Sequence, residues 1–354
     1  MDHMSSDAAQ LREAMAKRLR RRGVSNGQIT LPAVPGMLNE YVSMCDKIFT
    51  ALGRKFSDSE RDHLRTLLAK ELANAYAGSN RSSIVISYDA PIGTMLNYFI
   101  KPEWTSLADT YDNWVATRKP PLFGTHPDAR VWALSSQIIE IIDTRSARIL
   151  DIGAGTGRNA LALARRGHPV DAVELTPKFA EIIRAEAYKH LLPVQVIDRD
   201  IFDSMDDLHK NYQLIVLSEV TPDFRAPEQL RAVFELAAEC LSPGGHLVFN
   251  VFMPRAEFVS DSAVRELWQA IRQLAQQVYT GLFTGEEIDG AAAGLPLRLM
   301  KNDSVYDYEK ANLPAGEWPP TGWYADWVSG LDVFALPRER SPIEMRWLVY
   351  RKIA

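Results

Sequence analysis

The sequence predicts an α/β protein: a doubly wound, mostly parallel sheet of seven strands closed by an antiparallel hairpin, preceded by a helical domain. Three observations predict it. From Arg148 onward, short apolar runs alternate with amphipathic helical stretches, the pattern of consecutive β–α units in a parallel sheet. One of them, ILDIGAGTGRNALALA over residues 149–164, ends an apolar strand in an aspartate, adds three spaced glycines and then starts a helix. Before this alternation begins, the first 130 residues carry three helical stripes.

At the N-terminal end, Leu11, Met15 and Leu19 share a helix face that stops at Gly23. Leu38, Tyr41, Val42, Cys45, Ile48, Phe49 and Leu52 repeat at helical spacing up to Gly53. Ser57 with Glu60 forms a capping box for a third helix, whose stripe is Leu64, Leu67, Leu68 and Leu72 and whose end is Gly78. Ser83 to Tyr88 reads as a short strand or an extended connector, Asp109 to Thr117 as helix, and Lys119 to Asp128 as a loop punctuated by proline and glycine. A further helix carries Val131, Trp132, Ile138, Ile139 and Ile142 to the glycine stretch.

In the alternating region, RILDI, PVDAVEL, PVQVI and YQLIVLS read as strands, separated by helices over Arg158–Arg166 and, with proline at its start, Pro177–Lys189. A helix over Pro227–Leu241 and the turn SPGG lead into the strand HLVFNVF. Ser262 to Val278 should be helical, and 281–330 is an irregular, tryptophan-rich insertion. LDVFAL and MRWLVYRK, joined by PRERSP, are expected to be the closing hairpin.

Composition bounds the function. The 354 residues are 46% hydrophobic and 24% charged, as in globular proteins, and long enough for one large domain or two ordinary ones. The net charge of −5 makes no case for a nucleic-acid or membrane partner. The basic run Lys17 to Gly23 is most simply a solvated helix end. Two cysteines, Cys45 and Cys240, far apart in apolar patterns, imply neither a disulfide framework nor a metal site and fit a reduced, cytoplasmic setting. No stretch has the apolar core of a signal peptide or the roughly 20 apolar residues of a membrane span.

Gly153, Gly155 and Gly157 let a ligand lie against the backbone, and the helix behind them offers free N–H groups. A dinucleotide site is the first rival. Its G-x-G-x-x-G fingerprint places glycine where this chain has Arg158, and Asp151 would repel a pyrophosphate. That carboxylate suits a ligand bearing an ammonium group. D-x-G-x-G-x-G at the end of a first strand resembles the Rossmann-like class I S-adenosylmethionine (SAM)-dependent methyltransferases, over roughly 148–252 and more loosely in the closing hairpin.

The resemblance implies a SAM site of Asp151, Gly153, Ala154, Gly155 and Gly157 around the methionine part. Glu174 with Leu175 would take the ribose, Asp200 with Ile201 the adenine, and Ser218 would lie after the fourth strand. It also implies that Tyr111 folds over SAM, the other reading being a core aromatic beside Trp114. Glu219 stands where such enzymes contact the acceptor, as base or orienting acid. His126 is a candidate base or clamp, against an ordinary hydrogen-bonded surface histidine. Trp318, Trp323, Tyr324 and Trp327 form a lid or pack the insertion onto the sheet, and Arg158 with Asn159 touch the SAM carboxylate or cap the helix.

The implied organisation is a helical cap over 1–130 and a SAM-binding domain over 131–354, with the cap closing the acceptor site and a candidate for homodimer contacts. The implied activity is methyl transfer to an O or N atom of a small molecule, such as a secondary metabolite, with S-adenosyl-L-homocysteine as product and no metal. A nucleic-acid methyltransferase, an NAD-dependent oxidoreductase and a non-catalytic SAM-binding protein are the alternatives.

Overall fold

The computed structural model describes residues 2–93, 95–259, 268 and 271–353. The chain divides into two compact units, 1–106 and 107–354.

In the first unit the three expected helices form: α1 (Asp2–Arg20), α2 (Leu38–Ala51) and α3 (Asp58–Gly78). The Ser57–Glu60 capping box closes as the sequence implies, with the Ser57 N–H donating to Glu60 Oε2 at 2.7 Å. Beside them lies an antiparallel sheet in the order β1–β2–β3, made of Ser25–Pro32, Ser83–Ala90 and Asn97–Glu103. The sequence reading anticipated only the middle strand. Gly27 and Pro32 in β1 and Pro102 in β3 argue against strands, yet these are the edges, where proline and glycine are tolerated. Phe49, Leu64, Leu68, Leu72, Ile84 and Ile86 fill the core, whereas Leu11, Met15 and Leu19 of α1 remain exposed.

The second unit holds a seven-stranded sheet in the order β6–β5–β4–β7–β8–β10–β9. Its strands are β4 (Ile149–Ile152), β5 (Val170–Val173), β6 (Val194–Ile197), β7 (Tyr212–Leu217), β8 (Leu241–Pro254), β9 (Leu297–Ser304) and β10 (Ile343–Lys352). Strands β4 to β8 are parallel, and β10 runs antiparallel to both of its neighbours. Alternate residues feed two cores: Ile149, Leu214, Val216 and Val248 on one face, Leu150, Ile215, Leu217 and Phe249 on the other. A sheet buried on both faces explains why its strands read as nearly continuous apolar runs. The chain winds outward from β4 in both directions, so the reversal of strand order falls between β4 and β7.

Three expectations need correction or relocation. LDVFAL is not a strand: Leu331–Phe334 is a short helix between Gly330 and Ala335, both in the left-handed region. A six-residue apolar run does not distinguish the two states by periodicity. The seventh strand is β9, inside the stretch read as irregular; it is a largely exposed edge, so its sequence LRLMKNDS lacks alternation. The unit boundary lies at 106/107 and not at 130/131. Helix α4 (Leu107–Thr117) and the loop after it pack on α7 (Pro177–Lys189): the Tyr111 and Phe123 rings lie 5.2 and 5.6 Å from Phe179, and Asp112 pairs with Lys178 at 3.0 Å. Of the helix expected over 262–278, residues 262–267, 269 and 270 lie outside the described residues, while 268 and 271–276 are helical.

Helices α5 (Ala129–Ile139), α6 (Arg158–Arg165) and α8 (Pro227–Cys240) complete the frame, and the SPGG turn makes an irregularity where β8 starts beside β7. Cys45 and Cys240 are buried free thiols, and no helix among the described residues is long and apolar enough to cross a membrane.

Candidate active site

A cavity of about 690 Å3 opens at the carboxyl ends of β4, β5 and β7, within the range of small-molecule sites. Its floor is the loop between β4 and α6. Gly153, Gly155 and Gly157 all have positive φ, at 68°, 56° and 90°. A Cβ on Gly153 would overlap Val220 Cγ2, and one on Gly157 would come within 2.8 Å of Leu161. The first glycine thus keeps the loop clear of the next strand's end, and the third seats α6.

Asp151, the third residue of β4, is only 2% exposed and lines this cavity. Burial, and after it the neighbouring Asp128 carboxylate, pushes its carboxyl up to about 7. Its Oδ2 is buried with no hydrogen-bond partner among the described residues. Such an orphan calls for a cationic donor from a ligand. Glu174, just beyond β5, accepts from the Gly155 and Thr176 N–H groups, each at 2.7 Å, which turns its carboxylate toward the glycine loop. Burial raises its pKa above the ordinary value, while the two amides oppose the rise.

Ala154, Leu175, Asp200 and Ile201 also line the cavity, with Asp200 Oδ1 accepting from the Phe202 N–H at 2.9 Å. The donor set fits SAM: an unpaired acid for the ammonium, a backbone loop without side chains, a second acid at the next strand, and an acid beside an apolar residue at the third.

The opposite wall is built by β7 and the turn that leaves it. Ser218, Glu219 and Val220 line the cavity together with Phe224, Tyr279, Trp323 and Trp327. Glu219 has φ 63°, unusual for a residue with a side chain, and its N–H donates to Asn250 Oδ1 at 2.7 Å. Its carboxylate meets Arg158, whose Nη2 donates to Oε1 at 2.6 Å. Burial, opposed by Arg158 and supported by Asp128, brings the Glu219 carboxyl up to about 7.

Tyr111 lines the cavity and packs edge-on against Trp114 at 5.3 Å. His126 is not brought to the cavity. Its side chain is 41% exposed, with Nδ1 3.1 Å from Glu317 Oε2 and 3.1 Å from Thr125 Oγ1, the ordinary surface arrangement for a histidine in a proline-rich loop. Of the aromatic cluster, Trp323 and Trp327 face the cavity, while Trp318 packs against Tyr306 and Tyr324.

Sequence reasoning missed Asp128. Standing before α5, it looked like the end of a loop, and only its place as a helix N-cap could have drawn notice. It missed Glu309 as well, a buried acid in a stretch read as irregular.

Residues 129–294 match the family model described as a methyltransferase domain. Among curated proteins, the ubiquinone biosynthesis O-methyltransferase of Xanthomonas euvesicatoria pv. vesicatoria is 26% identical over 128 residues, covering 35% of this chain and 52% of that protein. The enzyme of the same name from Xylella fastidiosa is 28% identical over 125 residues, covering 34% and 50%. The chain spans about half the length of the curated relatives it matches. Among solved structures, a geranyl diphosphate C-methyltransferase from Streptomyces coelicolor A3(2) is similar at 12% identity and a TM-score of 0.44, covering 65% of this chain and 87% of that one. The family match runs from the start of α5 past the end of β8, and so takes in the glycine loop and the carboxylates above it. Through that stretch, a little under half of the chain, the sequence is similar to methyltransferase domains, and the sheet order, glycine loop and cavity acids match the resemblance to class I enzymes that use SAM as cofactor.

Proposed function

We propose that the second unit transfers a methyl group from SAM to an O or N atom of a small, largely apolar acceptor, releasing S-adenosyl-L-homocysteine. The observation that carries this reading is the orphan Oδ2 of Asp151 above the glycine loop. In it, Asp151 pairs with the ammonium of the methionine part, and Gly153 to Gly157 give the backbone cradle. Glu174 accepts from the two ribose hydroxyls, which a carboxylate can do at once, and Leu175, Asp200 and Ile201 hold the adenine.

Bound SAM supplies a methyl group already activated on a sulfonium. The protein's own work is then alignment, exclusion of water and removal of the acceptor's proton. Glu219 is the acceptor-side group suited to the last task. Burial raises its proton affinity while the Arg158 contact favours the charged form. Its ionised oxygen can therefore take the proton of a hydroxyl as the new bond forms, or the proton of an ammonium before the freed amine attacks. Trp323 and Trp327 give flat apolar walls, which favour a planar or apolar acceptor. Tyr111 closes the cofactor side.

Calorimetry tests the reading directly. SAM and S-adenosylhomocysteine should bind with a stoichiometry of one while NADH does not, and Asp151→Ala and Glu174→Ala should each abolish or greatly weaken binding in a folded protein. Wild-type affinity in both variants would refute it.

A further inference from the structure

Arg158 directly follows the last glycine of the loop, and its side chain is only 8% exposed. Nη1 lies 2.8 Å from Asp128 Oδ1, and Nη2 lies 2.6 Å from Glu219 Oε1. One planar fork thus spans two carboxylates from different elements, a task for which a lysine ammonium lacks the geometry.

Asp128 is itself held firmly. Its Oδ2 accepts from Ser218 Oγ at 2.6 Å and Asn159 Nδ2 at 2.8 Å, and its own N–H donates to Asn159 Oδ1 at 2.9 Å. Although it occupies the N-cap of α5, its side chain makes no capping bond. Glu309, from the helix Val305–Asn312, does the capping: it accepts from the Ala129 N–H at 2.7 Å and the Arg130 N–H at 3.2 Å. Trp347 Nε1 donates to the same carboxylate at 2.9 Å. The borrowed cap leaves the Asp128 carboxylate free to hold the guanidinium.

The far end of the chain of contacts is strained. Glu219 sits in left-handed backbone, tied through its N–H to Asn250 and through its carboxylate to Arg158. Such conformations persist only where the surroundings over-determine them.

We infer that Arg158 is a positioning residue: anchored by Asp128, its guanidinium fixes where the Glu219 carboxylate stands and holds it ionised toward the acceptor. This rests on the reading of Glu219 as the group that takes the acceptor's proton. It differs from the sequence-based alternative in which Arg158 touches the SAM carboxylate, because the fork is already engaged on both sides. Among the described residues, the charged and titratable groups that face Glu219 are Arg158, Asp128 and the buried Tyr324 hydroxyl. Arg158 favours its charged form, and Asp128 opposes it.

The two neighbours should therefore move Glu219 in opposite directions. The test is a carboxyl titration by NMR on protein labelled with 13C-glutamate, the Glu219 signal being assigned by its loss in Glu219→Gln. Arg158→Met should raise the Glu219 midpoint by at least one pH unit, Arg158→Lys by less, and Asp128→Asn should lower it. An unchanged midpoint in Arg158→Met, or shifts of the same sign in Arg158→Met and Asp128→Asn, would overturn the inference. Should Arg158→Met fail to fold, Asp128→Asn decides alone: a fall supports the inference and no change or a rise overturns it. Binding of S-adenosylhomocysteine, measured alongside, reads the cofactor assignment separately. Its absence in the wild type would sink that assignment and leave the titration result standing.

Discussion

Asp151→Asn should separate stability from affinity. The wild-type carboxyl is displaced from its ordinary 3.8 to about 7, chiefly by burial. Each tenfold change in proton affinity corresponds to about 1.4 kcal/mol, so holding this group ionised in the ligand-free fold costs at most about 4 kcal/mol. The folded-state pKa is the raised one. The penalty is therefore absent below the unfolded value, grows as pH climbs between 3.8 and about 7, and is complete above that. Asparagine keeps the shape and the acceptor for the Ala160 N–H but never carries the charge.

At pH 8 the ligand-free variant should melt several degrees above wild type, at roughly 2–4 °C per kcal/mol for a unit of this size. The gain should fade as the pH is lowered toward 4. SAM affinity should move the other way. Losing one partner of a buried charged pair costs about 2–5 kcal/mol, or roughly 30-fold to several thousand-fold in Kd. Scanning calorimetry at pH 5 and pH 8, with titration calorimetry at pH 8, measures both. A variant less stable than wild type at pH 8, or one that binds SAM as well, would refute the reasoning.

Other outcomes come from the same geometry. Wild-type SAM affinity should weaken as pH falls through about 7, up to tenfold per pH unit, because a protonated Asp151 offers no charge to an ammonium; a flat profile from pH 8 to 5.5 would count against the pairing. Gly153→Ala combines positive φ with an overlap on Val220, so it should lower stability by about 1–3 kcal/mol by thermal melting and weaken SAM binding with it. His126→Ala, outside the cavity and in an exposed pair, should change neither Tm by more than about 2 °C nor SAM affinity. Glu309, pushed up to about 7 mainly by burial, should make the ligand-free protein less stable as pH rises from 4.5 to 7, and Glu309→Gln should flatten that part of the Tm profile.

The central sheet was legible because each strand is short, apolar and succeeded by a recognisable helix start. The glycine loop was legible because backbone approach leaves a compositional mark. Glu174 and Asp200, which line the cavity, were singled out by their order along the chain, since a lone acid at a strand end carries no signal of its own. The features that stayed hidden depend on distant partners. Strand β9 is an exposed edge without alternation, and LDVFAL is apolar enough for a strand yet lies between two left-handed residues. The Asp128–Arg158–Glu219 chain draws on three separate elements, with Arg158 and Glu219 61 positions apart, and no local pattern marks a buried fork of that kind.

The cap on α5 has a consequence for how this protein is made. Its carboxylate comes from Glu309, 180 positions after the Ala129 amide it receives. A ribosome releases the glycine loop and the parallel strands β4 to β8 well before that residue emerges, so the entrance to α5 stays unfinished until β9 and the helix after it are out as well. Contacts of such long range close late and slowly. A fragment cut at residue 294, where the family match stops, would hold every glycine of the cradle and still lack the acid that frees Asp128 for its arginine.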